Sequence, residues 1–268
     1  MISLVKLLEE VSSRPKAIIL AGSPGSGKTS FIQDFIKPFN LQVLNIDNYY
    51  KNNLKQANVS LNLKQANAEE RSKSSSAMQK SIKEYQAALN EKVENKENIV
   101  LDTTSGSFKK TVELKNYLAQ NGYDVFMVYV FASLKKSLRR NDTRFDRSNG
   151  EDRSLPPAIV LQTWVNVSKN YDNYRTFFGD NFVSIVNDKT PKTLSNLNDI
   201  KQLYIDPYRP SDSKPKTPQE QASSDKQDQY NDNFVKDFWK TDKTQEIIDN
   251  SCVLSLIVTG KQIGRAHV

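Results

Sequence analysis

The chain has 268 residues, enough for one α/β domain with appendages. An apolar content of 37% and a mean hydropathy of −0.64 describe a soluble, polar protein, and the single cysteine, Cys252, excludes an internal disulfide and a thiolate metal cluster and suits a reducing compartment. The net charge of +7 and pI of about 9.2 favour phosphorylated substrates or nucleic acid, yet no lysine cluster is interleaved with aromatics, so the basic balance reads as a solvated lysine-rich surface and nucleic acid is not the favoured partner.

Met1 to Val11 mixes Leu4, Leu7 and Leu8 with Lys6, Glu9 and Glu10. That mixture predicts a short amphipathic helix over 1–15 rather than a signal peptide. Lys16 to Ala21 ends in a continuous apolar run, the mark of a buried parallel strand. Gly22 to Thr29 then reads GSPGSGKT, the phosphate-binding pattern G-x-x-x-x-G-K-[ST]. Glycines let the backbone wrap a polyphosphate with its N–H groups turned inward. Gly22, Ser23, Gly25, Ser26, Gly27, Lys28, Thr29 and Ser30 are therefore the expected nucleotide-binding residues. Lys28 would reach the β- and γ-phosphates, and Thr29 would offer its hydroxyl to Mg2+. Phe31, Ile32, Phe35 and Ile36 share one helical face after the loop, and Pro38 marks a stop.

A second strand is predicted over Leu41 to Ile46, closing at Asp47. A polar, helical stretch follows, best patterned from Ala77 to Val93. It contains NLKQAN twice, at Asn53 to Asn58 and at Asn62 to Asn67, a local duplication and not a repeat fold. The third strand is Asn98 to Leu101, closing at Asp102, and Thr103, Thr104, Ser105 and Gly106 come next. Leu114, Tyr117 and Leu118 form a helical stripe that Asn121-Gly122 ends. Val125 to Phe131 is the fourth strand. From about Leu134 a helix carries Arg140, Arg144 and Arg147 on one face, and Arg153 follows in a polar segment. Pro156 and Pro157 open a helix whose Val160, Trp164, Val167, Tyr171 and Tyr174 read as core, and Phe182 to Val186 is the fifth strand.

Strands alternating with helices imply a P-loop NTPase-type α/β fold, a parallel sheet of about five strands covered on both faces, over 16–190. Ligands in such sheets sit at the carboxyl ends of the strands, where the glycine loop, Asp47 and Asp102 all fall. Asp47 is placed to accept a proton from an acceptor hydroxyl or to align it. Asp102 has the position of a carboxylate that steadies Mg2+. Thr103 and Thr104 are candidate substrate contacts, and Arg140, Arg144 and Arg153 could cover the transferred phosphoryl group as a lid.

Beyond Asp188 the pattern weakens. Residues 191–232 read as a linker, with Pro207 to Asp232 of disorder-prone composition, and 233–262 as a short C-terminal segment with one helix carrying Phe234, Val235, Phe238 and Trp239. The apolar run from Cys252 to Val258 is too short to span a bilayer, so no membrane partner is expected. Ile263 to Val268 (IGRAHV) resembles a translated sequencing-library adapter. It holds the only histidine, His267, which is left out of the catalytic reading.

AIILAGSPGSGKT, Asp47, IVLDTTSG, NGYDVFMVYVF and SLRRNDTR running on to RSLPP together resemble the zeta-toxin-like branch of small P-loop kinases, over about Lys16 to Val186. The resemblance implies ATP-dependent phosphorylation of a hydroxyl on a small molecule, with Mg2+. It matches Lys28 and Thr29 to the phosphate-loop pair and Asp47 to the catalytic aspartate, and places Arg140, Arg144 and Arg153 where nucleotide-facing arginines lie. The chain departs from the family after Asp47, where Asn48-Tyr49-Tyr50-Lys51 lacks the usual Arg and His-Pro continuation. It has Asp102-Thr103-Thr104 where Glu-x-Thr is more usual. The UDP-amino-sugar substrate and the toxicity of true zeta toxins are therefore not carried over. Similar reading frames occur in tailed bacteriophages, which by analogy implies a phage origin and a cytoplasmic location, the host's if so.

Three alternatives remain at this point. One is a nucleoside or polynucleotide 5′-hydroxyl kinase. Another is a nucleotide switch or motor, although Asn187-Asp188-Lys189 does not fit a guanine-reading segment. The last is a phage structural protein with a degenerate P-loop fold. Neither the acceptor nor the oligomeric state can be read from the residues.

Overall fold

A computed structural model describes residues 14–36, 41–63 and 66–187, together with Pro218, Gln219, Ala222, Asp225, Lys226, Gln229, Tyr230, Asn233, Cys252 and Val253. The leading helix, Pro38, the helix through Phe234 and Trp239 and the adapter-like tail lie outside the described residues.

Five of the strands fall where the apolar runs predict them: β1 (Lys16–Ala21), β2 (Gln42–Asn45), β3 (Ile99–Asp102), β4 (Asp124–Phe131) and β5 (Phe182–Val186). A sixth, β6 (Cys252–Val253), lies beyond the expected five and pairs parallel with Ile185 and Val186. The sheet is parallel throughout, in the order β2-β3-β1-β4-β5-β6. The chain leaves β1, builds β2 and β3 on one side of it, and then crosses to β4 on the other. The reversal opens a crevice at the carboxyl end of β1, where the glycine loop begins.

Alternate residues of each strand serve opposite faces. Ala17, Ile19 and Ala21 join Leu101, Met127, Tyr129 and Phe131 in one buried cluster. Ile18 and Leu20 join Val100, Val128, Val130 and Ile185 in the other. The first cluster is covered by α3 (Ala68–Glu94), α4 (Phe108–Gln120), α7 (Pro157–Ser168) and α8 (Tyr171–Phe178). The stripe predicted from Val160 to Tyr174 is buried throughout, and Trp164 donates its indole N–H to the Ala132 carbonyl at 2.9 Å. A break after Ser168 divides that stripe between two helices.

The second cluster receives Phe31 and Ile36. Here the helix after the loop is α only over α1 (Lys28–Phe31) and widens to a π turn over Ile32–Ile36. The described residues between 218 and 233 are helical where composition predicts a disordered linker, and Lys169 Nζ lies 5.8 Å from the Tyr230 ring. No described helix is long and apolar enough to cross a membrane.

Candidate active site

The glycine loop is shaped by what surrounds it. Gly25 has φ +79°, and a Cβ there would sit 2.5 Å from the Ser137 carbonyl oxygen. Gly27 has φ +101°, and its Cβ would collide with the Asn187 amide. Both positions thus need glycine for conformation and for space. The Gly22 N–H donates to the Thr104 carbonyl at 3.1 Å, and the hydroxyls of Ser23 and Ser137 meet at 3.0 Å. Lys28 folds back across the loop, its ammonium donating to the Gly22 carbonyl at 2.7 Å and the Ser23 carbonyl at 3.3 Å. Desolvation pushes the Lys28 pKa down, Asp102 and Asp47 pull it back up, and Arg144 adds to the fall. Thr29 and Ser30 are exposed at the start of α1.

The backbone of Asp47 and the carboxylate of Asp102 are joined by a residue that the sequence reading did not single out. Asn45 ends β2, in register with Asp102 on β3. Its Oδ1 accepts the Asp47 N–H at 2.7 Å and caps α2 (Ile46–Gln56), while its Nδ2 donates to Asp102 Oδ2 at 2.6 Å. Asp47 therefore stands in the first turn of a helix and does not close a strand. The signal was present: Asn is a favoured N-cap, and Asn45 directly precedes this helix. Asp102 is 7% exposed. Burial pushes its carboxyl pKa up. Lys28 opposes that rise, Asp47 adds to it, and Arg144 and the Asn45 amide pull it down.

The expected arginine face is divided. Thr143 ends α5 (Leu134–Asp142) with ψ near 0° and its hydroxyl turned back to the Arg139 carbonyl, and α6 (Arg144–Arg147) starts afresh. Arg140 turns to the loop backbone. Its Nη1 donates to the carbonyls of Gly25 at 3.0 Å and Ser26 at 3.3 Å, and its Nη2 to that of Asn187 at 3.1 Å. Asn187, at the end of β5, donates its own amide to Ser26 at 3.0 Å. Together they brace the loop from outside.

Arg144 pairs with Asp152 at 3.1 Å, and Lys51 of α2 holds the other oxygen of that carboxylate at 2.8 Å. Burial works against ionising Asp152, but Lys51 and Arg144 hold its pKa below the usual range. Arg153 reaches Asp47 directly, Nη2 to Oδ1 at 2.6 Å, with its guanidinium 5.2 Å from the Tyr50 ring centroid. Arg147 is exposed.

Thr103 and Thr104, the two expected substrate contacts, are placed differently from one another. The Thr103 hydroxyl donates to the Leu20 carbonyl at 3.0 Å and lies 2.8 Å from the Ser105 hydroxyl. That side chain fastens β3 to β1. Thr104 gives its carbonyl to Gly22 and leaves its side chain exposed.

The arrangement can grip an anionic chain at the loop, offer the Asp102 carboxylate to an oxygen-coordinated cation, and bring a carboxylate and cations to a hydroxyl beside them. Among the described residues no three acidic, His or Cys side chains cluster as a metal cage. Mg2+ needs none, since it keeps waters and substrate phosphates as ligands, and a buried carboxylate disfavoured by desolvation fits such a partner.

Comparison with known proteins agrees with this geometry. The zeta toxin family model matches residues 5–196. No curated protein matches the chain in sequence. Among solved structures, AvrRxo1-ORF1:-ORF2 with ATP superposes with a TM-score of 0.51 at 17% identity, over 68% of this chain and 57% of that one. The PezAT chromosomal toxin–antitoxin system of Streptococcus pneumoniae gives 0.45 at 13% identity, over 88% and 93%. The Pnkp1/Rnl/Hen1 RNA repair complex gives 0.46 at 19%, over 62% and 48%. At 17% identity the likeness to AvrRxo1-ORF1:-ORF2 is one of fold. With 5–196 matched, which is most of its length, the chain belongs to the zeta toxin family.

Proposed function

We propose that this chain is a P-loop phosphotransferase that moves the γ-phosphoryl group of ATP to a hydroxyl of a small molecule. The observation that carries the reading is the Asn45 amide, which ties Asp47 to Asp102 beside a glycine loop crossed by Lys28. The acceptor oxygen forms a bond to the γ-phosphorus as the bond to the β,γ-bridging oxygen breaks. ADP leaves, and the acceptor's proton passes to Asp47.

Lys28 exchanges its loop carbonyls for the β- and γ-phosphates. Arg153, and Arg144 beside it, supply cations for the charge that spreads over the moving phosphoryl oxygens. Thr29 and Asp102 would hold Mg2+, whose charge would neutralise part of the phosphate chain. Arg140 acts one step back, by keeping the loop in shape.

Acceptor-dependent ATP consumption is the test. Lys28→Ala is expected to lower it by about a hundredfold or more, and Asp47→Asn likewise, with both variants still folded by circular dichroism. Turnover that needs no acceptor and survives Asp47→Asn would overturn the reading.

A further inference from the structure

Asn45 makes two bonds at once, and only one of them is capping. Its Oδ1 accepts the Asp47 N–H at 2.7 Å, which starts α2, and its Nδ2 donates to Asp102 Oδ2 at 2.6 Å. The partners fix which way the amide lies. An N–H faces its oxygen and a carboxylate faces its NH2 group, so the reverse orientation would lose both bonds. Capping alone would be met as well by Asp or Ser. Asp has no proton to give an ionised carboxylate, and a Ser hydroxyl is one bond shorter than the amide nitrogen that reaches the next strand. The register sets Asn45 of β2 opposite Asp102 of β3, which is what brings the amide within reach.

We propose that Asn45 is a positioning residue for the Mg2+ of the nucleotide: by holding Oδ2 of Asp102 it fixes the carboxylate and leaves Oδ1 as the oxygen that meets the cation. This rests on the reading above in which Asp102 serves Mg2+ beside ATP. The terminal torsion of an aspartate is soft, so a carboxylate with no fixed partner can turn. Asp102 is buried, and the amide gives one of its oxygens a fixed donor. Carboxylates that ligate metals depend on such outer hydrogen bonds, and removing one typically costs about ten- to a hundredfold in metal affinity. The same amide starts the helix that carries Asp47, so one side chain sets both the carboxylate for the metal and the backbone of the carboxylate for the acceptor.

Asn45→Ser and Asn45→Ala separate the two roles, since Ser keeps the cap and neither keeps the donor to Asp102. The probe is the non-hydrolysable β,γ-imido analogue of ATP, titrated calorimetrically into the full chain with Mg2+ and again with EDTA. Circular dichroism checks that each variant is folded. The ratio of the two dissociation constants is the contribution of the metal to nucleotide binding. That ratio should fall about tenfold in both variants, while affinity in EDTA stays at the parent's value. If Asn45 only caps the helix, Asn45→Ser keeps the parent's ratio, and that result overturns the proposal. So would a parent whose affinity is indifferent to Mg2+. The assay contains no acceptor, so missing acceptor-dependent turnover fails the phosphotransferase reading separately. A parent that does not bind the analogue at all fails both.

Discussion

On the loop side of the cleft, Arg140 and Asn187 direct their N–H groups at the backbone carbonyls of Gly25 and Ser26, and the Ser23 and Ser137 hydroxyls meet beneath. On the facing side, α2 meets the 144–154 segment mainly through side-chain charges. Asp47 takes Arg153, Lys51 takes Asp152, and Lys55 takes Glu151. Backbone acceptors cannot move without unmaking the loop, whereas charged side chains can trade partners. The contrast fits the two tasks of a phosphotransferase: one bank holds the same polyphosphate in every cycle, and the other must open to a substrate and close over it.

Removing one fastener from each bank should separate rate from stability. Arg153→Ala is expected to cost acceptor-dependent turnover about a hundredfold while moving stability by less than about 1 kcal/mol, because losing the pair with Asp47 is offset by removing a buried Nε that has no hydrogen-bond partner. Rate assays beside urea unfolding check both halves. Arg140→Ala should do the reverse. It strips part-buried carbonyls of a charged donor, so unfolding free energy falls by about 2 kcal/mol and ATP affinity falls with it. Equal stability losses in the two variants would erase the distinction between the banks.

A smaller effect follows from Asp102. Its folded pKa is raised by burial above the unfolded value, so the native state binds the proton more tightly than the unfolded chain does. Stability is then lost as pH rises from the unfolded value of about 3.9 through the folded one. Asp102→Asn should therefore melt higher than the parent at neutral pH, and the advantage should vanish below about pH 4, even as turnover collapses. A melting series across pH reads this directly.

The smallest change is one of mobility. Raising salt towards 1 M shrinks the screening length from about 10 Å to about 3 Å. Amide exchange in residues 144–154 should accelerate while 22–27 stays protected. Uniform acceleration would show that both banks share one fastening.

The strands and the glycine loop were legible because buried apolar runs and the G-x-x-x-x-G-K-[ST] spacing are local signals. Asp47 and Asp102 were singled out by their places after such runs, although Asp47 stands in the first turn of a helix. What escaped was long-range. The partners Lys51 and Asp152 lie 101 residues apart. Arg140 and Arg144 have the spacing of one helical face, yet the helix is interrupted at Thr143 and the two find partners on opposite banks. Asn45 could have been recognised as a cap, but its hold on Asp102 depends on the register of two strands.

The duplicated hexapeptide shows how little six letters decide. In its first copy Asn53 is buried in α2, donating to Ser81 and Glu84, and Asn58 leaves the helix with φ +54°. In its second copy Asn62 bridges to Ser154 outside any helix, and Asn67 starts α3 through a reciprocal capping box with Glu70. The peptide is a chameleon, taking an ending from one neighbour and a beginning from the other. Asn53 and Asn58 serve the end of one helix and Asn62 and Asn67 the approach to the next, so the same letter in the same place of the repeat does different work.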